Sequence, residues 1–330
     1  MGRFTYAVKK AAKAAAAILL TAALTACSGS LNTASGSQQG EVEYAKPPFW
    51  VVTDPQTGAA IYMLGSIHAG KKEVQFPDYV LEAYKSSSFA APELDTVAFQ
   101  TDIMLQSQAV SLLTLKEGTA ADYIGSDYDD TVKFFKEKGV YQMGMDKMIP
   151  FYWSSAVSSL VISGSGLDVD YGTESVLLQM AHKDGKEIRE MEGALSQYAM
   201  MADIPMSVQT ELLKQCVGDS NVNLQAISTA MLYDAWRSFD EDYFKAAGAF
   251  DISAVDNPAD WEEYYRLMYT DRQKKMADKI TQWLQDGEQG FVFVGALHYY
   301  AEPSILSLLE EAGYSPQAVT GGEIISEEAA

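Results

Sequence analysis

Cysteine and histidine are the scarcest of the chemically useful residues in this 330-residue chain. Two cysteines, Cys27 and Cys216, exclude a disulfide framework and a cysteine-rich zinc site. Three histidines, His68, His182 and His298, confine any imidazole chemistry to those positions. Positive charge is short as well, with 24 Lys and Arg against 45 Asp and Glu and a formal net charge of -21. A surface this acidic repels phosphate backbones, so nucleic acid is a poor partner. No apolar run reaches the ~20 residues that span a bilayer as a helix. What remains is globular: 48% hydrophobic and 11% aromatic residues suffice for a core and exclude wholesale disorder.

The N-terminus reads as an address rather than as part of the fold. Arg3, Lys9, Lys10 and Lys13 precede the short apolar stretch Ala14 to Ala23, which ends in Leu24-Thr25-Ala26-Cys27. Small residues directly before a cysteine resemble the bacterial lipobox, in which the cysteine is lipidated and becomes the mature N-terminus. Residues 1–26 are therefore expected to be a lipoprotein signal peptide, with Cys27 as the lipidation site. The expected location is the extracytoplasmic face of the cell membrane. Loss of residues 1–26, which carry four positive and no negative charges, would take the net charge from -21 to -25. Residues 27–45 are rich in Ser, Gly, Gln and Asn and predict a flexible tether. Residues 46–330 form the predicted domain, in which Cys216 is expected to be a buried thiol without a partner.

Along that domain, strand signals cluster at the two ends. Phe49–Thr53 and residues 60–68 flank the turn Asp54-Pro55-Gln56-Thr57-Gly58 and predict a hairpin. A helix opening at Pro77-Asp78 follows, then a short strand over 88–94 that contains Pro92. From about 100 to 170, and again over 195–285, the pattern is helical. Between these lie a helix over 174–183, ended by Gly185, and the strand candidate 187–192 (EIREME). Residues 291–297 (FVFVGAL) are apolar throughout, as a strand buried on both faces must be. A helix over 303–312, closed by Gly313, ends the pattern. The expected class is α/β: a central β-sheet with flanking helices and helical insertions.

Two histidines share one local frame. In residues 61–68 (IYMLGSIH) and 291–298 (FVFVGALH), four apolar residues lead into Gly, a small residue, a branched aliphatic and His. These form two strand-GxxH-helix units, one at each end of the domain. Open α/β sheets bind ligands where strands end and loops begin, so His68 and His298 are expected at one functional edge. His182 falls in the last turn of a helix, where the helix dipole accounts for it, and it is assigned no role. Glu93 and Glu192 follow strand candidates and would be presented like the histidines. Two imidazoles with one or two carboxylates make a plausible divalent-metal site with room for water. HExxH, GxSxG, Walker and GxGxxG signatures are absent.

GSIH, GALH and the intervening Glu93-Leu94-Asp95 resemble the TraB/PrgY/GumN family, which includes the Tiki metalloproteases. The resemblance spans roughly residues 48–318. It is carried further by Pro150-Phe151-Tyr152-Trp153, Asp170-Tyr171-Gly172-Thr173-Glu174, residues 185–193, Gln197, Arg272 and the C-terminal GALHYYAEP. The chain departs from the usual pattern at Gln273, Pro92 and Gly193, where the family commonly has Asn, an aliphatic and Thr. Family resemblance implies a metal-dependent hydrolase, proposed to cleave peptide bonds in a peptide or protein substrate. It implies His68, Glu93 and His298 as ligands of a divalent ion such as Zn, Mn or Co, with Glu192 and Arg272 as neighbours. Glu192 would serve as general base and Arg272 would steady an oxyanion or a substrate carboxylate. The ligand and base roles of the two glutamates are exchangeable at this level. A metal-free version, with a histidine as general base, is similar to the erythromycin esterase group. A non-catalytic lipoprotein binding a peptide, pheromone or haem in the same cleft is the alternative of a different class.

Overall fold

The computed structural model describes residues 43–324 and builds them around a seven-stranded sheet. In chain order the strands are β1 (Glu43–Tyr44), β2 (Phe49–Thr53), β3 (Ala60–Ser66), β4 (Val74–Gln75), β5 (Phe89–Pro92), β6 (Glu187–Ile188), β7 (Gly290–Gly295), β8 (Gln317–Thr320) and β9 (Glu323–Ile324). The sheet order is β6-β5-β7-β3-β2-β8-β9, while β1 and β4 form a separate parallel pair. The chain is thus α/β with a central sheet and flanking helices, as its sequence implies. The hairpin β2–β3 forms with Phe49 opposite Leu64 and Thr53 opposite Ala60. Asp54 shapes its turn, its carboxylate accepting the N–H groups of Gln56 and Thr57.

β7 lies inside the sheet, parallel to the central β3 on one side and to β5 on the other. All six of its residues are buried. Phe291 and Phe293 face Val80, Ala83 and Tyr84 of the helix Asp78–Ser86 and Leu177, Leu178 and Ala181 of the helix Thr173–Asp184. Val292 and Val294 face Met276, Ile280 and Leu284 of the helix Asp271–Gln285 and Ile305 and Leu309 of the helix Ile305–Glu311. A strand covered on both faces has no polar side, which is why FVFVGAL shows no alternation.

The helical middle makes a third core. The helix Pro150–Ser165 packs against Met206–Cys216 and Asp219–Ser238, burying Trp153, Val157, Leu212 and Trp236. Cys216 is a buried thiol in this lobe. The same cluster takes in Ile67, Ala296 and Leu297, so the lobe rests on the C-terminal ends of β3 and β7. Trp236 fixes the join by donating its indole N–H to the carbonyl of Gly65 at 2.8 Å. Helices therefore cover the edge where both histidines emerge.

Three expectations need correction. The strand candidate 187–192 pairs regularly only over Glu187–Ile188. β7 ends at Gly295, and Ala296–Tyr299 turn into a 3-10 helix that carries His298. The last helix begins at Ile305, because Ser304 caps it by accepting the N–H of Ser307, so Pro303 lies outside it. Among the described residues no helix is long and apolar enough to cross a membrane. Cys27, the signal peptide and residues up to 42 lie outside the described residues.

Candidate active site

Glu93 stands one residue beyond β5, at the C-terminal edge of the sheet. The chain after β6 stays beside it without a regular ladder: Arg189, Met191 and Glu192 donate their N–H groups to the carbonyls of Ala90, Pro92 and Glu93. That irregular pairing carries Glu192 alongside Glu93. Arg272, in the first turn of the helix Asp271–Gln285, closes on both. Its Nε and Nη2 donate to Oε1 and Oε2 of Glu192 at 2.8 and 2.7 Å, and Nη2 also donates to Oε2 of Glu93 at 2.7 Å. Nη1 donates to the carbonyl of Met268 at 3.3 Å. Gln197 adds its amide to Glu192 at 2.9 Å and to Glu93 at 3.2 Å. The three charged side chains are only 7–15% exposed.

The second oxygen of Glu93 faces β7. It accepts the backbone N–H of Gly295 at 2.7 Å. A Cβ on Gly295 would lie 3.2 Å from that same oxygen, so the glycine of GALH lets the carboxylate approach the backbone. His298 Nε2 lies 3.6 Å from Glu93 Oε1, while its Nδ1 is buried without a hydrogen-bond partner. The turn that holds His298 is tied by Gln273, whose amide donates to the carbonyls of His298 and Ala301 at 3.1 and 2.8 Å. Gln273 stands where the family commonly has Asn, and here it is fully buried. Tyr269 closes this side, its ring centroid 6.1 Å from that of His298. It belongs to a π-helical turn, Arg266–Thr270, that directly precedes the helix bearing Arg272.

His68 has a different neighbour. Its Nδ1 lies 3.3 Å from Oε1 of Glu174, which also accepts the hydroxyl of Ser66. Glu174 was not among the expected site residues. Its signal was available, since it closes the DYGTE segment that supports the family resemblance. His182 stays outside the cluster. Its Nε2 is 2.9 Å from both carboxylate oxygens of Asp95, which caps the helix Thr96–Thr101 through the N–H of Ala98.

The surroundings drive the two GxxH histidines apart. Burial alone would depress His68, but Glu174 beside it, with a smaller contribution from Glu93, raises it to about 9. Burial and the Arg272 charge push His298 down to about 4, against the pull of Glu93. Burial would raise Glu93, yet Arg272, the two histidines and the Gly295 N–H bring it to about 2. Glu192 is likewise lowered, Arg272 outweighing its burial. At neutral pH the cluster holds two carboxylates, a guanidinium, a cationic His68 and a neutral His298.

The donors suit a divalent cation in type. Two imidazoles and a carboxylate are the ligands of open catalytic sites. The 3.6 Å between His298 Nε2 and Glu93 Oε1 is too long for a hydrogen bond. It is close to the ~3.4 Å separating two donors that each sit ~2.1 Å from one tetrahedral ion. Among the described residues no three His, Cys, Asp or Glu side chains already converge as a metal site. Glu93 and His298 are thus the two donor side chains of the three that the structure brings to such a spacing. Glu192 also helps line a cavity of about 340 Å³ with Met191, Ser196, Lys275, Asp278 and Lys279.

Sheet, helical lobe and the paired GxxH turns together define the class, and comparison with known families agrees. Residues 48–318 match the TraB/PrgY/gumN family, and the chain belongs to that family. Comparison with curated proteins and with solved structures gives no match.

Proposed function

We propose that this protein is a membrane-anchored, extracytoplasmic hydrolase that acts on peptide bonds with the help of a divalent cation. The observation that carries the reading is the meeting of His298 Nε2 and Glu93 Oε1 at 3.6 Å, the histidine buried and the carboxylate largely so, at the edge to which β3 delivers the other GxxH histidine. His68, Glu93 and His298 would hold the ion, a divalent one such as Zn, Mn or Co by donor type. A bound divalent cation would polarise a substrate carbonyl and make water a stronger acid. The protein's own contribution is to keep Glu93 ionised and His298 neutral, whereas His68, raised by Glu174, would have to give up a proton to bind. Arg272 holds Glu93 ionised, and burial together with the Arg272 field keeps His298 neutral, the form of imidazole that can donate a lone pair.

The two neighbours take altered roles in this proposal. Both oxygens of Glu192 are occupied by Arg272 and its pKa is lowered, so it is a weak base. We assign it to holding Arg272. Arg272 spends its Nε, its Nη2 and one Nη1 contact inside the protein, so it acts on substrate mainly through its charge.

The opposite displacements of His68 and His298 favour a second, cation-free reading. Pairs of titratable groups pushed apart mark acid and base roles. Neutral His298, a weak base in its pushed-down state but with a free Nδ1, would take a proton from attacking water, and cationic His68 would return one to the leaving amine. Metal analysis of protein purified without chelator, combined with hydrolysis of a peptide library before and after chelation, decides between them. Stoichiometric metal with chelator-sensitive turnover supports the cation. Turnover by metal-free protein shifts the mechanism to the histidine pair. Binding of a peptide or haem without turnover would replace the hydrolase reading with a binding lipoprotein.

A further inference from the structure

The loop that carries His68 is fastened to one other segment, Asp168–Glu174, far more tightly than a connecting loop requires. Gly70 and Asp168 exchange backbone hydrogen bonds at 2.9 and 3.0 Å. Thr173 then grips Ile67 three times: its N–H donates to the Ile67 carbonyl at 2.8 Å, its hydroxyl to the same carbonyl at 2.9 Å, and that hydroxyl accepts the Ile67 N–H at 2.7 Å. Between these fastenings lies Gly172. A Cβ there would sit 2.3 Å from the carbonyl oxygen of His68, so any side chain would force the two segments apart. One residue past the clasp, Glu174 reaches Ser66 and His68 Nδ1. Its other oxygen is buried with no hydrogen-bond partner, so the carboxylate serves Ser66 and His68 through Oε1.

We infer that Glu174 is a positioning residue: with Gly172 and Thr173 it clasps the GSIH loop and keeps a proton on His68 Nδ1, leaving Nε2 as the nitrogen that does chemistry. This rests on the reading that His68 serves the site, whichever of the two mechanisms operates. Histidines that bind metal nearly always give their other ring N–H to a carboxylate or carbonyl, and that partner sets tautomer and ring angle. The two GxxH histidines are therefore unequal despite their shared motif. His68 is steered through its ring, whereas the His298 ring has no such partner and is placed through its backbone carbonyl by Gln273.

Three histidines make the test direct. The full-length protein, labelled with nitrogen-15 histidine and purified in detergent without a histidine tag, gives only three imidazole patterns. Spectra of metal-free protein should show a persistent, hydrogen-bonded proton on Nδ1 of His68. In Glu174→Ala that signal should collapse to exchange-averaged histidine while His182 and His298 keep their patterns. Glu174→Gln, which retains shape and an acceptor oxygen, should keep the loop folded and weaken the signal. Cobalt(II) titration provides a second readout, with affinity falling ~10- to 100-fold in Glu174→Ala. A His68 pattern unchanged in Glu174→Ala, or wild type lacking the Nδ1 proton, overturns the inference. Wild type that takes up no cobalt defeats the cation reading alone, and the ring spectra still decide the role of Glu174.

Discussion

Replacing Arg272 by Met should expose how much of this fold depends on one guanidinium. The side chain is about the right length and apolar, so packing is largely kept while the charge and its hydrogen bonds are lost. Left behind are Glu93 and Glu192, largely buried side by side and facing each other's charge. Removing one partner from a buried ion pair typically costs about 3–5 kcal/mol, because the remaining charge is uncompensated. At roughly 2–4 °C per kcal/mol for a domain of this size, the melting temperature should fall by about 10 °C. In wild type, Glu93 is depressed from 4.5 to about 2, so its contribution is present above pH 4.5 and lost as pH falls towards 2. In the variant the surviving carboxylates should titrate above their unfolded values, so protonation on acidification relieves the strain. The stability gap between the two proteins must therefore narrow from pH 7 to pH 4. Urea unfolding of chelator-treated protein at both pH values measures this. A loss under about 1 kcal/mol at pH 7, or a gap independent of pH, would refute the account. Adding Glu192→Gln to Arg272→Met should restore part of the loss, since it removes one of the stranded charges.

Other consequences are more quickly stated. His298→Ala should abolish cation retention and hydrolysis while shifting the melting temperature by only a few degrees, because Nδ1 has no partner to strand and the Gln273 contact is to backbone. His182→Ala, measured alongside, should retain both metal and activity. Gln273→Ala should do more harm to the fold than His298→Ala, since two buried carbonyls lose their donor at roughly 1–3 kcal/mol each; equal melting temperatures would contradict this. Intact mass of the membrane-extracted protein should show residues 1–26 missing and lipid on Cys27, and an unmodified Cys27 in a chain starting elsewhere would dismiss the anchor.

The parts that could be read in advance were those written in repeated or continuous patterns. The shared frame of 61–68 and 291–298 gave away two equivalent strand-loop units, and they lie side by side as β3 and β7. The unbroken apolar run of 291–294 gave away the doubly covered strand. What stayed hidden depended on partners far away in sequence. EIREME has the composition of a strand, yet past Ile188 its N–H groups follow β5 in an irregular hand-over that only the fold reveals. Pairing of Arg272 with Glu192 and Glu93 spans 80 and 179 residues amid dozens of competing carboxylates, so only the family resemblance, and no local pattern, made them neighbours. Pro303 advertises a helix start two residues too early, and Ser304 is the cap instead. Glu174 looked like an ordinary first-turn acid, and its second task depends on the loop it meets.

β7 is made almost last, yet it belongs between two strands made early. A chain growing from its N-terminus completes β3 and β5 about 200 residues before β7 exists, a delay of roughly 10–40 s at ~5–20 residues per second. Throughout that interval two apolar strands present the unpaired edges that β7 will later join. Open edges of this kind pair readily with other chains. Biosynthesis thus has a window in which the protein is at its most aggregation-prone, and that window closes only when Gly290–Gly295 slides into place. A message truncated before codon 290 would leave it permanently open, yielding a product that lacks GALH and carries two sticky strands.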